Sequence, residues 1–309
     1  MIELFDKIKK YSTRNAFIYK DRKIKFSQVF HDIKLIKKKI RNHSIIFVFA
    51  ENTYSSIISY LSSINGNNIT LVMDPKFEKK YIEKMIKIYN PNYIFKNSKS
   101  NFKVYGKLVF KFEDINLIKT SNNFNKKINF QNFLLLTTSG TTKNPKVVRL
   151  GKNNLLDNTK KIVKSLNIRS SHNTITTLPF SYSYGLSILN SHFFSGATVV
   201  INNYTIFDKN FWTSLEKYKV TSFGGVPQLY KQLKLLKFPK TKYPYLKYLT
   251  QAGGKLDKEL IEYFYLSCKK NNIKFIIMYG QTEASPRISY LPWKFLPKKI
   301  GSIGKGLSG

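Results

Sequence analysis

Short, nearly unbroken apolar runs, each followed by a stretch with helical spacing, constrain this chain more than any other feature. Residues 44–50 (SIIFVFA), 69–73 (ITLVM) and 133–137 (FLLLT) are too short for helices and lack polar alternation. Each reads as a strand buried on both faces of a parallel sheet. Residues 54–64, 77–89 and 155–166 follow them with apolar side chains at helical spacing, and Asn65-Gly66 and Asn90-Pro91 close the first two. A helix is expected over 28–41 and another short strand over 93–95. Residues 99–130 are polar, Asn- and Lys-rich, and read as a connection with one or two short strands. The second half repeats the style, with strands at 174–178, 197–200, 220–223, 246–251 and 274–278 and helices at 212–219 and 258–270. The stretch between the first two of those strands is Ser- and Gly-rich. Strand–helix alternation of this kind predicts open, mostly parallel α/β sheets.

Composition narrows the class. A chain of 309 residues suits one large or two medium domains, and 42% hydrophobic residues exclude wholesale disorder. The single Cys268 excludes a disulfide framework and a Cys-based zinc site. The longest apolar run, residues 45–50, cannot span a bilayer. The first residues show no apolar core of a secretory signal. The expectation is a soluble protein of the reducing cytoplasm. The formal charge is +36, yet only 6 of the 53 basic residues are Arg, and the lysines are spread along the whole chain. Scattered Lys beside abundant Asn and Ile reads as A/T-rich coding bias. A true polyanion-binding role would favour clustered Arg, so no specific nucleic-acid partner is expected.

The chemistry concentrates in two places. Residues 137–146 (TTSGTTKNPK) follow the FLLLT strand with six consecutive hydroxyl-bearing or Gly residues and a later Pro145-Lys146. Small residues let backbone N–H groups turn toward an anion, hydroxyls add donors, and a Lys adds a point charge. A phosphate loop is therefore expected here; the alternative is a flexible polar turn. The spacing is not that of a Walker A loop. This segment resembles the signature of the adenylate-forming superfamily, which includes acyl-CoA synthetases, acyl-AMP ligases, luciferases and peptide-synthetase adenylation domains. The match is Thr138, Ser139, Gly140, Thr141 and Thr142, then Pro145 and Lys146, with Lys143 where the family usually has Gly. Tyr279-Gly280-Gln281-Thr282-Glu283 resembles the family's second motif; taken alone it would read as a helix N-terminus capped by Thr282.

Three further segments fall in family order. Residues 178–185 (LPFSYSYG), with Tyr182 where the family often has His, resemble the substrate-side motif. Gly224-Gly225-Val226-Pro227 resembles the segment beside the acyl pocket, and Ala252-Gly253-Gly254-Lys255 the glycine turn along the adenine. Gly301-Ser302-Ile303-Gly304-Lys305 resembles the start of the family's small β-barrel. The resemblance runs from residue 133 to 305; the first 130 residues fit by strand–helix style and by Asn52 and Asp74-Pro75.

The resemblance implies two packed, doubly wound, mostly parallel α/β subdomains. The first would cover 1–165 with the phosphate loop and the second 166–290 with the acyl and adenine side. Residues 291–309 would begin the β-barrel, leaving that barrel and a C-terminal domain largely absent. It implies an acid–thiol ligase that uses ATP and Mg²⁺ to convert a carboxylic acid to an acyl-adenylate, with CoA or a carrier-protein pantetheine arm as the later thiol. Thr138, Ser139, Gly140, Thr141, Thr142 and Lys146 would hold the β- and γ-phosphates, Thr282 the α-phosphate and Glu283 the Mg²⁺. Tyr279, Gly280, Gly253 and Gly254 would frame the adenine, and Tyr182, Gly185 and Gly225 the acid. Residues 179–185 hold no carboxylate to pair an α-ammonium, and an unpaired buried ammonium is costly. An aliphatic or aryl acid without an α-amine is therefore expected. Without the C-terminal domain, weak adenylation and no efficient thioester formation are expected; the alternative is a catalytically incompetent nucleotide- or acyl-binding module.

The remaining singled-out residues read plainly. His31 and His172 are expected in solvent, His192 packed, Cys268 inert, Asp208 at a helix start and Trp212 a packed aromatic.

Overall fold

A computed structural model describes residues 2–121, 132–138, 146–239 and 243–307. The chain forms two compact units that exchange segments. The first comprises Met1–Arg14, Lys23–Leu156 and Pro179–Tyr182; the second comprises Asn15–Arg22, Asp157–Leu178 and Ser183–Gly309.

The chain begins with α1 (Ile2–Ile8), β1 (Asn15–Tyr19), β2 (Arg22–Lys25) and α2 (Phe26–Lys37). The first unit then alternates β3 (Ile45–Phe49), α3 (Tyr54–Ile64), β4 (Ile69–Met73), α4 (Lys79–Tyr89) and β5 (Tyr93–Asn97). It continues with β6 (Lys107–Phe112), β7 (Ile115–Lys119), β8 (Asn132–Thr137) and β9 (Val147–Gly151). The sheet order is β6-β7-β5-β3-β4-β8-β9. Its centre, β5-β3-β4-β8, is parallel, and both margins are antiparallel. Every residue of β3 and β4 is buried, as unalternating apolar runs require.

Helix α3 shows how such a core admits polar residues. All of its residues are buried, five of them serines. Ser59 and Ser63 donate their hydroxyls to the carbonyls of Ser55 and Ser59, both at 2.8 Å. Their polar atoms are thus satisfied inside the helix's own ladder. Thr53 caps the start by accepting from the Ser56 N–H.

Helix α5 (Lys152–Leu166) crosses the division between Leu156 and Asp157. The second unit continues with β10 (Asn173–Ile175), α6 (Ser183–Phe193), β11 (Thr198–Ile201), α7 (Lys209–Lys217), β12 (Ser222–Gly225) and α8 (Pro227–Leu235). It ends with β13 (Tyr248–Gln251), α9 (Lys258–Lys270), β14 (Lys274–Gly280), β15 (Arg287–Leu291) and β16 (Lys305–Gly306). The sheet order is β16-β15-β14-β13-β12-β10-β11-β1-β2. From β14 to β1 neighbouring strands are parallel, and β15 and β16 fold back antiparallel. Strand β1 joins this sheet through Phe17 opposite Val199, which is why the units interleave in sequence. Tyr230, Phe264 and Phe275 centre the aromatic core, with Tyr230 and Phe264 ring centroids 5.0 Å apart and edge-on. Among the described residues there is no closed barrel, and no helix is long and apolar enough to cross a membrane.

Asp208 accepts from the Asn210 N–H at the start of α7, and Trp212 donates its indole N–H to the Ile206 carbonyl at 2.7 Å. Cys268 is fully buried, and burial pushes its thiol up to about 12, so it is inert. His31 is exposed, but His172 is not in solvent: it is 6% exposed, its Nδ1 accepting from the Arg169 N–H at 3.4 Å and its ring lying 6.3 Å from that of Tyr248. Burial first, then Lys247 and Arg169, pushes His172 down from the ordinary 6.5 to about 4. His192 is packed as expected, and burial lowers it to about 3. Both histidines are therefore held neutral by the fold. The unfolded chain binds more protons than the native one below about 6.5, so stability is full above that pH and is lost on acidification toward 4 and 3. The melting temperature at pH 5 is expected several degrees below that at pH 7. A melting temperature that stays level or rises on acidification would contradict it.

Candidate functional site

In a parallel sheet the space beyond the carboxyl ends of the strands is free of side-chain packing, and ligands bind there. In the second unit β12, β13 and β14 run side by side and in register, Gly225 opposite Gln251 and Gln251 opposite Ile277. Their carboxyl ends therefore bring together Gly225, the Ala252-Gly253-Gly254 turn and Tyr279-Gly280. The Ala252 N–H donates to the Gly225 carbonyl at 3.2 Å, and Gln251 donates its side-chain amide to the Gly254 carbonyl at 2.8 Å.

The glycines there serve different needs. Gly253 takes a left-handed φ of 81° and is exposed, so it needs no side chain to turn and offers bare backbone to a flat ligand. Gly280 lies where β14 crosses the returning chain: a Cβ there would stand 2.0 Å from the Pro286 carbonyl oxygen. The bulge between Tyr279 and Gly280 directs the chain out of the sheet toward Thr282.

Thr282–Ala284 form a single 3-10 turn with Gln281 at its N-cap and no side-chain cap, so Thr282 does not act as a helix cap. Its hydroxyl lies 3.0 Å from the Ser183 hydroxyl at the start of α6. Glu283 is exposed, and Tyr279 is 42% exposed. Gly185 lies one turn into α6, buried. Next to it the Tyr184 hydroxyl donates to the Thr250 carbonyl at 2.9 Å and excludes a side chain at Gly224.

Behind the turn stands Arg287, 3% exposed. Its Nε donates to the Ser187 hydroxyl at 3.0 Å and its guanidinium carbon lies 4.9 Å from the centre of the Tyr184 ring. Burial pushes the guanidinium down from its ordinary value, and the ring face offsets part of that cost. Sequence reasoning passed over Arg287, Ser183 and Asn158. Ser183 lies inside the 178–185 segment and Arg287 just beyond the second motif, so both could have been found by proximity; Asn158 carried no signal, since its contacts lie 126 and 129 residues away.

The expected phosphate-loop residues belong to the first unit. Thr138 and Lys146 are the two sides of a hairpin between antiparallel β8 and β9, the Thr138 N–H donating to the Lys146 carbonyl at 2.9 Å. Thr138 and Lys146 thus sit at the end of an antiparallel ladder at the sheet margin. Ser139, Gly140, Thr141 and Thr142 lie outside the described residues. Tyr182 is half-buried in the first unit, and burial raises its phenol.

Among the described residues no group of three or more His, Cys, Asp or Glu is arranged to hold a metal ion. One exposed carboxylate suits Mg²⁺ nonetheless. That ion takes one or two carboxylates and fills its octahedron with phosphate oxygens and water.

A family model described as AMP-binding enzyme matches residues 4–309. An acyl-CoA synthetase, ALT10, from Alternaria alternata is 35% identical over 160 residues, 50% of this chain and 27% of that protein. An oxalate–CoA ligase from Arabidopsis thaliana is 29% identical over 177 residues, 56% of this chain and 34% of that protein. The matched stretches thus span about a third or less of these relatives' length. A solved structure of o-succinylbenzoate CoA synthetase from Bacillus subtilis, in complex with ATP and magnesium ion, superposes with a TM-score of 0.79 at 18% identity. It covers 98% of this chain and 65% of that one, and the likeness is one of fold.

Proposed function

This chain belongs to the AMP-binding enzyme family, and we propose that it takes part in activating a carboxylic acid with ATP to an acyl-adenylate, for later transfer to the thiol of CoA. The observation that carries the reading is the convergence of Gly225, Gly253, Gly254, Tyr279, Gly280 and Thr282 at the carboxyl ends of β12, β13 and β14. The difficulty of the reaction is electrostatic, because an anionic carboxylate must approach an anionic α-phosphate. Positioning and charge neutralisation therefore do most of the work.

Each residue has a part in that. Gly253 and Gly254 let the adenine lie against backbone, and the Tyr279 ring stacks on it. The Thr282 hydroxyl, held by Ser183, donates to an α-phosphate oxygen. Glu283 holds Mg²⁺, which when bound offsets phosphate charge. Thr138 and Lys146, with Ser139, Gly140, Thr141 and Thr142, hold the β- and γ-phosphates. Tyr182, a neutral donor, borders the acid with Gly185 and Gly225. Residues 179–185 hold no carboxylate, which supports an acid without an α-amine. The named relatives support CoA as the thiol; a carrier-protein arm is the alternative acceptor. A reaction drawing on ATP and CoA supports a cytoplasmic setting.

Carboxylate-dependent exchange of pyrophosphate into ATP tests the reading, using oxalate, 2-succinylbenzoate, benzoate, hexanoate and palmitate, with alanine and phenylalanine as α-amino controls. Exchange with an acid of the first group and none with the amino acids is expected. Exchange confined to the amino acids would overturn the substrate class, and failure to bind ATP at all would overturn the function.

A further inference from the structure

We propose that Asn158 is a positioning residue that holds the turn presenting Thr282 and Glu283, and so sets how tightly Mg²⁺ promotes ATP binding. The inference rests on the reading of Thr282 and Glu283 given above.

Asn158 lies on α5 and is 8% exposed. Its side-chain amide meets the far end of the Thr282 turn on both sides. Nδ2 donates to the Arg287 carbonyl at 2.7 Å and to the Ala284 carbonyl at 3.3 Å, and Oδ1 accepts from the Arg287 N–H at 3.4 Å. Two donors and one acceptor in a planar group imitate a neighbouring strand. They tie down the two residues that bracket Ser285-Pro286, and the left-handed φ of 69° at Ser285 makes the chain reverse there. At its other end the turn touches α6 through the Thr282 and Ser183 hydroxyls, and α6 in turn holds the Arg287 guanidinium through Ser187. The single helical turn has no side-chain cap of its own. Its orientation is therefore set by tethers from outside, and Asn158 supplies three of their hydrogen bonds.

The residue type is demanding. Asp would set a carboxylate against two carbonyl oxygens. Leu would fill the space and leave both carbonyls without the donor they now have. Removing the tether leaves Glu283 in place but lets it wander from the metal, and such supporting contacts are worth about 10- to 100-fold in metal affinity.

The test is calorimetric titration of ATP, with and without Mg²⁺, into the wild type, Asn158→Ala, Glu283→Gln and the double variant, with thermal melts alongside. Mg²⁺ is expected to strengthen ATP binding in the wild type. Each single variant is expected to reduce that increment by about tenfold, and the double variant to be no worse than Glu283→Gln, because both act through one carboxylate. Additive losses would overturn the proposal. So would an Asn158→Ala loss that is the same with and without Mg²⁺, since that marks general disturbance of the unit. If Glu283→Gln leaves the increment intact, the reading of the turn falls, and this inference with it. Should Asn158→Ala not fold, Asn158→Asp goes through the same series, with the same loss expected and an unchanged increment as the refutation.

Discussion

Glu283→Gln lowers carboxylate-dependent ATP–pyrophosphate exchange by about 10²–10³-fold, the loss typical when one preorganised electrostatic partner of a transition state is removed. The substitution keeps the shape of the side chain and takes away its charge. Gln cannot offset a divalent cation, so the ion is held by phosphates and water alone and the charge developing at the α-phosphate is less well met. The fold is expected to be indifferent. Glu283 is exposed on a 3-10 turn, and surface changes of this kind stay within about 0.5 kcal/mol. Glu262→Gln, an exposed residue on α9, makes the same charge change elsewhere and is expected to leave exchange near wild type. Equal exchange rates in the wild type and the Glu283 variant at saturating Mg²⁺ would remove Glu283 from the site.

Gly280→Ala costs about 3 kcal/mol of stability, the upper end for added bulk in a packed position. The obstacle is backbone rather than a movable side chain: the new Cβ would lie 2.0 Å from the Pro286 carbonyl oxygen and 2.9 Å from Arg287 Cα. No rotamer change relieves such a contact, so the β14–β15 pairing must open around the Gln281 N–H to Pro286 carbonyl bond. Because that crossing launches the Thr282 turn, exchange should fall with stability. Gly306→Ala is the control, since nothing lies within 4 Å of a Cβ there. Urea denaturation of both variants decides the matter; equal midpoints would mean that the crossing yields easily and that Gly280 is not held by its neighbours.

Much of the fold was legible. Helices over 54–64 and 258–270 and the strand over 69–73 coincide with α3, α9 and β4, because uninterrupted or periodic apolar patterns report burial locally. The connection over 99–130 does carry two short strands, β6 and β7, and residues 122–131 of it lie outside the described residues. Helix α6 escaped detection for a physical reason. All of its residues, SYGLSILNSHF, are buried, so it has no polar face and no amphipathic period. Strand β1 escaped because five residues near the start reveal their sheet only through pairing with residues 199–201.

Chemical identity along the chain was the sequence's own contribution: which hydroxyls, glycines and carboxylates exist, in which order, beside which strands. That sufficed to select a family and to nominate Thr138, Lys146, Tyr279, Thr282 and Glu283. Tertiary structure alone decided what surrounds them. It buried His172, made Gly280 obligatory through a carbonyl six residues away, and brought Asn158 onto a turn more than 120 residues distant. Local patterns record the average solvent exposure of a segment, whereas tethers and close crossings arise only when segments far apart in sequence meet.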